Sequence, residues 1–142
     1  FNGHVNKFYS VAEHSVIISL LVPKEDALWG LLHDATEAFV PDIPRPFKPY
    51  IGGFQEVEDR IHASIAARFG LPKEMPDSVK YFDRHIVREE AAKLFKSPPD
   101  WIDRYDEIPQ ARPLISGLSP EHAKLSWTLR FEELTSENNP HQ

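Results

Sequence analysis

A chain of 142 residues with 41% apolar and 27% charged side chains has the size and composition of one globular domain with a real core. Its formal net charge of −6 argues against a nucleic-acid duplex as main partner, because duplex binding is driven by basic side chains that neutralise phosphates. With no cysteine, disulfides and thiolate metal sites are excluded, so any metal must be held by His and carboxylates.

Proline and glycine divide the chain into helical stretches. From Val11 to Leu21 the apolar residues Val11, Ala12, Val16, Ile17, Leu20 and Leu21 recur at three- and four-residue spacing, which predicts a helix closed by Pro23. Lys24–Phe39, with Ala27, Leu28, Leu31, Leu32, Ala35 and Ala38, predicts a second, well-buried helix. Pro41, Pro44, Pro46 and Pro49 then forbid a helix, so Val40–Tyr50 reads as a stiff loop ended by Gly52-Gly53. A third helix is predicted over Phe54–Phe69, capped at Gly70, and a fourth over Pro76–Phe95. Lys96–Leu118, rich in Pro, Asp and aromatic residues, reads mostly as loop with a short turn near Trp101–Tyr105. Ser119-Pro120-Glu121 signals the start of a last helix to about Leu134, followed by a polar, flexible tail over 135–142. No repeat and no period-2 strand is visible. The expected class is all-α, a single domain over 1–142. The chain opens at Phe1, inside what reads as a functional segment, so further residues are expected upstream.

Within this frame, His33-Asp34 interrupts the apolar run Leu31-Leu32-His33-Asp34-Ala35. Two polar residues there need buried partners, and sharing a metal would meet that need, although a hydrogen-bonded core pair would do so as well. His14 lies on the preceding helix, and Asp83 lies within Val79-Lys80-Tyr81-Phe82-Asp83-Arg84. If helices one, two and four pack together, His14, His33, Asp34 and Asp83 converge as two imidazoles and two carboxylates. Such a set suits one divalent ion such as Mn²⁺, Fe²⁺, Co²⁺ or Mg²⁺, with Ni²⁺ and Zn²⁺ also admitted.

The order His … His-Asp … Asp resembles that of the HD-domain metal-dependent phosphohydrolases. The similarity is closest to a branch of small bacterial 5′-deoxynucleotidases and phage dATP triphosphohydrolases. It is carried by Phe1-Asn2-Gly3-His4, Tyr9-Ser10-Val11-Ala12-Glu13-His14-Ser15, Leu32-His33-Asp34-Ala35-Thr36-Glu37-Ala38, Asp42-Ile43-Pro44-Arg45-Pro46-Phe47-Lys48, Lys80 to Asp83, and Glu89-Glu90-Ala91 with Leu94. What the resemblance implies is a compact HD-type bundle of about five to six helices with Pro-rich loops. It implies metal-dependent hydrolysis of phosphate ester or anhydride bonds in (deoxy)nucleotides. His14, His33, Asp34 and Asp83 match the metal ligands. Glu37 and Asp42 match catalytic carboxylates that manage the attacking water or leaving group. Lys48 and Lys80 match phosphate-binding positions, and Phe1 and Pro46 match positions lining the sugar and base pocket.

Glu37 follows His33 by four residues, which on a continuous helix puts both on one face. His33 follows His14 by 19 positions, a shorter spacing than in many relatives of that branch. His62 and His85 read as surface or core histidines, His122 and His141 as incidental, and His4 as close enough in sequence to approach the pocket without a geometric reason to place it there. No HExxH, Gly-rich phosphate loop or serine elbow is present, which disfavours zinc proteolysis, P-loop chemistry and acyl transfer. No apolar run reaches the roughly 18 residues of a membrane span, and no secretory signal is visible, so no membrane partner and a cytoplasmic location are expected. Homo-oligomerisation is left open. The competing readings are a non-catalytic binding module, either an HD-like domain that senses a nucleotide or metal or a helical partner-binding domain, and an HD enzyme acting on cyclic dinucleotides or alarmones.

Overall fold

The computed structural model describes residues 5–44 and 46–136. Among them the chain is helical without strands: α1 (Val11–Leu21), α2 (Ala27–Leu32), α3 (Phe54–Phe69), α4 (Asp77–Leu94) and α5 (Pro120–Ser136). Short 3₁₀ turns occupy Lys24–Asp26, Ala35–Ala38, Lys48–Tyr50, Ile102–Arg104 and Pro109–Ala111. The all-α class expected from periodicity is the one observed. No helix among the described residues is long and apolar enough to cross a membrane.

Helices α1, α3 and α5 carry local start or stop signals. Ser10 caps α1, its hydroxyl accepting from the Glu13 N–H at 3.1 Å, and Pro23 prevents its continuation. Gly70 ends α3 in the left-handed conformation (φ 65°) that its missing Cβ permits. Ser119 accepts from the His122 N–H at the start of α5. α5 runs on to Ser136, so Thr135 and Ser136 are helical rather than part of the tail; the remainder of the tail, 137–142, lies outside the described residues.

Trp29, Ile18, Leu31, Ile86, Leu94 and Ile115 fill the core, in which α1 and α2 lie side by side with α5 against both. Arg130 of α5 donates to the Ser19 hydroxyl at 3.1 Å and the Ser19 carbonyl at 3.0 Å, fixing α5 to α1. At Gly30 the two helices nearly touch: a Cβ there would lie 3.1 Å from Ser19 Cα and 3.2 Å from Ser19 N. Backbone cannot yield as a flexible side chain can, so Gly30→Val is expected to force α1 and α2 apart. Overpacking of this kind costs roughly 1–3 kcal/mol. A melting curve followed by circular dichroism should shift down by several degrees; an unchanged curve would mean the contact has slack.

The segment 96–118 differs from a plain loop. Ile108, Ala111 and Ile115 are buried, and two glutamates hold its backbone. Glu13 accepts from the N–H groups of Ser116, Gly117 and Leu118 at 2.7–2.9 Å. Glu89 accepts from the Ile108 N–H and from Arg112. Long-range carboxylates thus replace regular secondary structure in satisfying these N–H groups.

The second predicted helix, Lys24–Phe39, is corrected in one respect. It is a 3₁₀ turn, then α2, then a second 3₁₀ turn at Ala35–Ala38, with the break at Asp34 (φ −99°, ψ 12°). The carbonyls that would extend α2 are taken by side chains. His33 Nδ1 donates back to the Gly30 carbonyl at 2.8 Å, and His62 Nε2 of α3 donates to the His33 carbonyl at 2.9 Å. Glu37 N–H turns instead to the Asp34 carbonyl at 3.0 Å. Apolar periodicity continues through this point and cannot reveal such competition.

Candidate metal centre

α1, α2 and α4 bring four side chains of the sequence pattern together. His14 comes from α1, His33 and Asp34 from just beyond the C-terminus of α2, and Asp83 from mid-α4. His14 Nε2 and His33 Nε2 face each other at 3.2 Å. Asp83 Oδ1 lies 3.3 Å from the first and 3.6 Å from the second. Asp34 Oδ2 lies 3.7 Å and 3.4 Å from the same two nitrogens. His14, His33 and Asp83 form the tightest group, each offering a ligand atom within 4.8 Å of the others, with Asp34 bordering it.

The hydrogen bonds behind the rings decide what the cluster offers. His33 Nδ1 meets a carbonyl and His14 Nδ1 meets the carboxylate of Glu90 at 2.6 Å, and neither partner can donate. Both rings therefore carry a proton on Nδ1 and present Nε2 to each other and to two carboxylates. Ligands about 2.1 Å from a common ion stand roughly 3.0–3.4 Å apart, close to the observed separations. The donor set fits one divalent cation. His33 is 2% exposed, whereas the carboxylates of Asp34 and Asp83 keep 30% and 38% of their surface, so the group is open on one side.

Charge is balanced inside the cluster. Burial opposes a charged imidazole at His14, yet Glu90, Asp83 and Asp34 hold its pKa well above the ordinary value. Burial likewise opposes an ionised Asp83, but hydrogen bonds from His14 and His33 hold its carboxyl well below the usual range.

Glu37 is brought beside the cluster by the 3₁₀ turn, not by the helical repeat expected from its spacing. Burial, then the nearby charges of Asp34 and Asp42, push its pKa up to about 7, with His14 and His33 pulling the other way. Asp34 and Glu37 also border a cavity of about 540 Å³ walled by α1, α2, α3 and α5, whose other lining is mainly apolar and includes Phe69, Trp127 and Phe131. Phe69 meets Phe131 edge-on, and Trp127 stacks on Phe131.

The remaining sequence candidates lie further out. Lys48 pairs with Glu58 at 3.0 Å and approaches Asp42 at 4.0 Å, so its ion pairs run within the Pro-rich loop and α3. Lys80, one turn before Asp83, is exposed and pairs with Asp77 at 3.1 Å. Pro46 is exposed and does not line the cavity. Phe1 lies outside the described residues. His62 is the ordinary structural histidine the sequence suggests, set edge-on to Trp29.

Two residues of the cluster's support were given no role by the sequence pattern. Glu90 is 4% exposed and accepts from both His14 and the Tyr9 hydroxyl, the latter at 2.7 Å. Burial and the adjoining Glu90 raise the Tyr9 pKa far above its ordinary value, so the phenol stays neutral. The available signal was spacing: Glu90 follows Asp83 by seven residues, two turns along one face of α4.

No family model matches the chain. An uncharacterized protein of Rhodobacter capsulatus is 40% identical over 80 residues, which cover 51% of this chain and 41% of that protein. YfdR, an uncharacterized protein of Escherichia coli strain K12, is 38% identical over 136 residues. That match spans 95% of this chain and 76% of YfdR, and the chain belongs to the same family as YfdR.

Proposed function

We propose that this protein is a metal-dependent phosphohydrolase of the HD type acting on a (deoxy)nucleotide. The observation that carries the reading is the pair of Nε2 atoms 3.2 Å apart, both fixed from behind and both facing Asp34 and Asp83. A divalent ion held by His14, His33, Asp34 and Asp83 would supply Lewis acidity toward phosphate oxygens and acidify water near them.

The chain's own residues supply the rest. Glu37, with a pKa near neutrality beside Asp34, takes the proton of the attacking water. Asp42 tunes Glu37 through its charge. Lys80, exposed and one turn from Asp83, turns from Asp77 to a phosphate oxygen, and Lys48 offers a second ammonium from the Pro-rich loop. The 540 Å³ cavity is of the size that takes small molecules, and its aromatic wall suits the flat apolar part of a nucleotide. No covalent intermediate on the protein is required.

The test is release of phosphate, pyrophosphate and triphosphate from dNMPs, dNDPs, dNTPs and ribonucleotides with Mg²⁺, Mn²⁺ or Co²⁺. Asp34→Ala is expected to abolish it, and the released species separates a nucleotidase from a triphosphohydrolase. No release by protein shown to hold metal would overturn the hydrolase reading in favour of a nucleotide- or metal-sensing module.

A further inference from the structure

Among the described residues three glutamates are buried, Glu13, Glu89 and Glu90, and they do different things. Glu13 and Glu89 bind backbone N–H groups and Arg112, tying down the segment 96–118. Glu90 instead directs one oxygen at the cluster: its Oε1 accepts from His14 Nδ1 at 2.6 Å and from the Tyr9 hydroxyl at 2.7 Å. The three partners come from three places, the segment before α1, α1 itself and α4. Asp83 sits two turns earlier on that same α4, so one helix carries both a cluster carboxylate and the group behind the imidazole facing it.

Resting on the metal reading above, we propose that Glu90 and Tyr9 are a positioning pair that fixes His14 with its proton on Nδ1 and its Nε2 in the cluster, and so sets the affinity of the site for a divalent ion. A neutral imidazole has two tautomers, and only one places a lone pair among His33, Asp34 and Asp83. A carboxylate cannot donate, so Glu90 selects that tautomer. Its negative charge also makes the ring a stronger donor to a cation, as carboxylate–histidine–metal arrangements do generally. Tyr9 holds the carboxylate oxygen in place and offsets the cost of burying it. His33 is backed by a neutral carbonyl, so the charged support falls on His14.

The experiment titrates the purified chain with Co²⁺ and with Zn²⁺, wild type beside Glu90→Gln and Tyr9→Phe. Glu90→Gln keeps the size of the side chain but removes its charge, and should weaken binding by about 10–100-fold. Tyr9→Phe should weaken it less, and metal-free circular dichroism should be unchanged in both. Two-bond ¹H–¹⁵N spectra of the Zn²⁺-loaded wild type should show His14 protonated at Nδ1, with that proton's resonance moved upfield in Glu90→Gln, a change that loss of a purely structural glutamate would not produce. Equal affinity of wild type and Glu90→Gln overturns the proposal, as does a wild-type proton on Nε2. Should Glu90→Gln fail to fold, Tyr9→Phe decides in its place, and an affinity equal to wild type overturns the proposal. A wild type that takes up neither ion ends the metal reading, and this inference with it.

Discussion

Glu37→Gln is expected to leave metal uptake intact while lowering turnover in the proposed hydrolysis by about 10²–10⁴-fold, the range for loss of a general base. Glu37 is half-buried between Asp34 and the apolar cavity, and its pKa of about 7 matches a base that works near neutral pH. The base acts ionised, so wild-type kcat should rise with pH through the Glu37 pKa, which a bound cation draws below its metal-free value of about 7, and level off above it. The Gln variant should lack that limb. Stability follows a different course. A carboxyl whose folded-state pKa lies above its ordinary value of 4.5 contributes stability below that value and loses it as pH rises through about 7. Metal-free Glu37→Gln should therefore melt higher than wild type at pH 8, with the difference closing toward pH 4.5. Full activity in the variant would remove Glu37 from the chemistry. A lower melting temperature at pH 8 would contradict the cost assigned to burying its charge.

Asp83→Asn is expected to have the larger effect on the cluster itself. Asp83 Oδ1 bridges the two imidazoles at 3.3 and 3.6 Å, and its side chain is 38% exposed, so Asn fits without strain. Removing the anion would take away a proposed ligand that complements the two Nε2 atoms of a metal-loaded cluster. Loss of metal assistance is worth several kcal/mol of barrier, on the order of 10³-fold or more in rate. Metal-dependent thermal stabilisation should disappear as well, since a ligand raises stability only in proportion to its binding. In metal-free protein the sign is that of a depressed carboxyl. Its contribution is present above the ordinary carboxylate range and fades as pH falls toward the lowered folded-state pKa. The variant should thus melt below wild type at pH 7 and converge with it in strong acid. Thermal melts with and without Mn²⁺, alongside phosphate release, check both parts. Unchanged metal stabilisation would remove Asp83 from the site.

The helices were legible where burial and end signals agree. α1 and α3 occupy the predicted spans, because Ser10, Pro23 and Gly70 mark ends that apolar spacing alone leaves vague. The candidate site was legible as a pattern: His14, His33-Asp34 and Asp83 lie within apolar helical stretches, a pattern that a hydrogen-bonded core pair would also satisfy and to which the resemblance to the HD-domain enzymes gave a meaning. Its supporting partners were not. Glu13, Glu89 and Glu90 look alike in sequence, yet one clamps a loop, one meets Arg112, and one holds His14. Which task falls to each depends on what lies across from it, 76 residues away for Glu90 and His14.

What the sequence determined by itself was therefore local: an all-helical chain, its punctuation, and the identity of four ligand-type side chains near helix faces that bury. Tertiary structure decided the break after His33, where a histidine of α3 takes a carbonyl that α2 would otherwise use. It decided that Glu37 reaches the cluster from a 3₁₀ turn, that Lys48 turns toward Glu58, and that Glu90 backs His14. The reason is physical. Periodicity and caps are encoded within one or two turns of chain, whereas hydrogen-bond partners and pKa shifts arise between groups distant in sequence, after packing has removed water from around them.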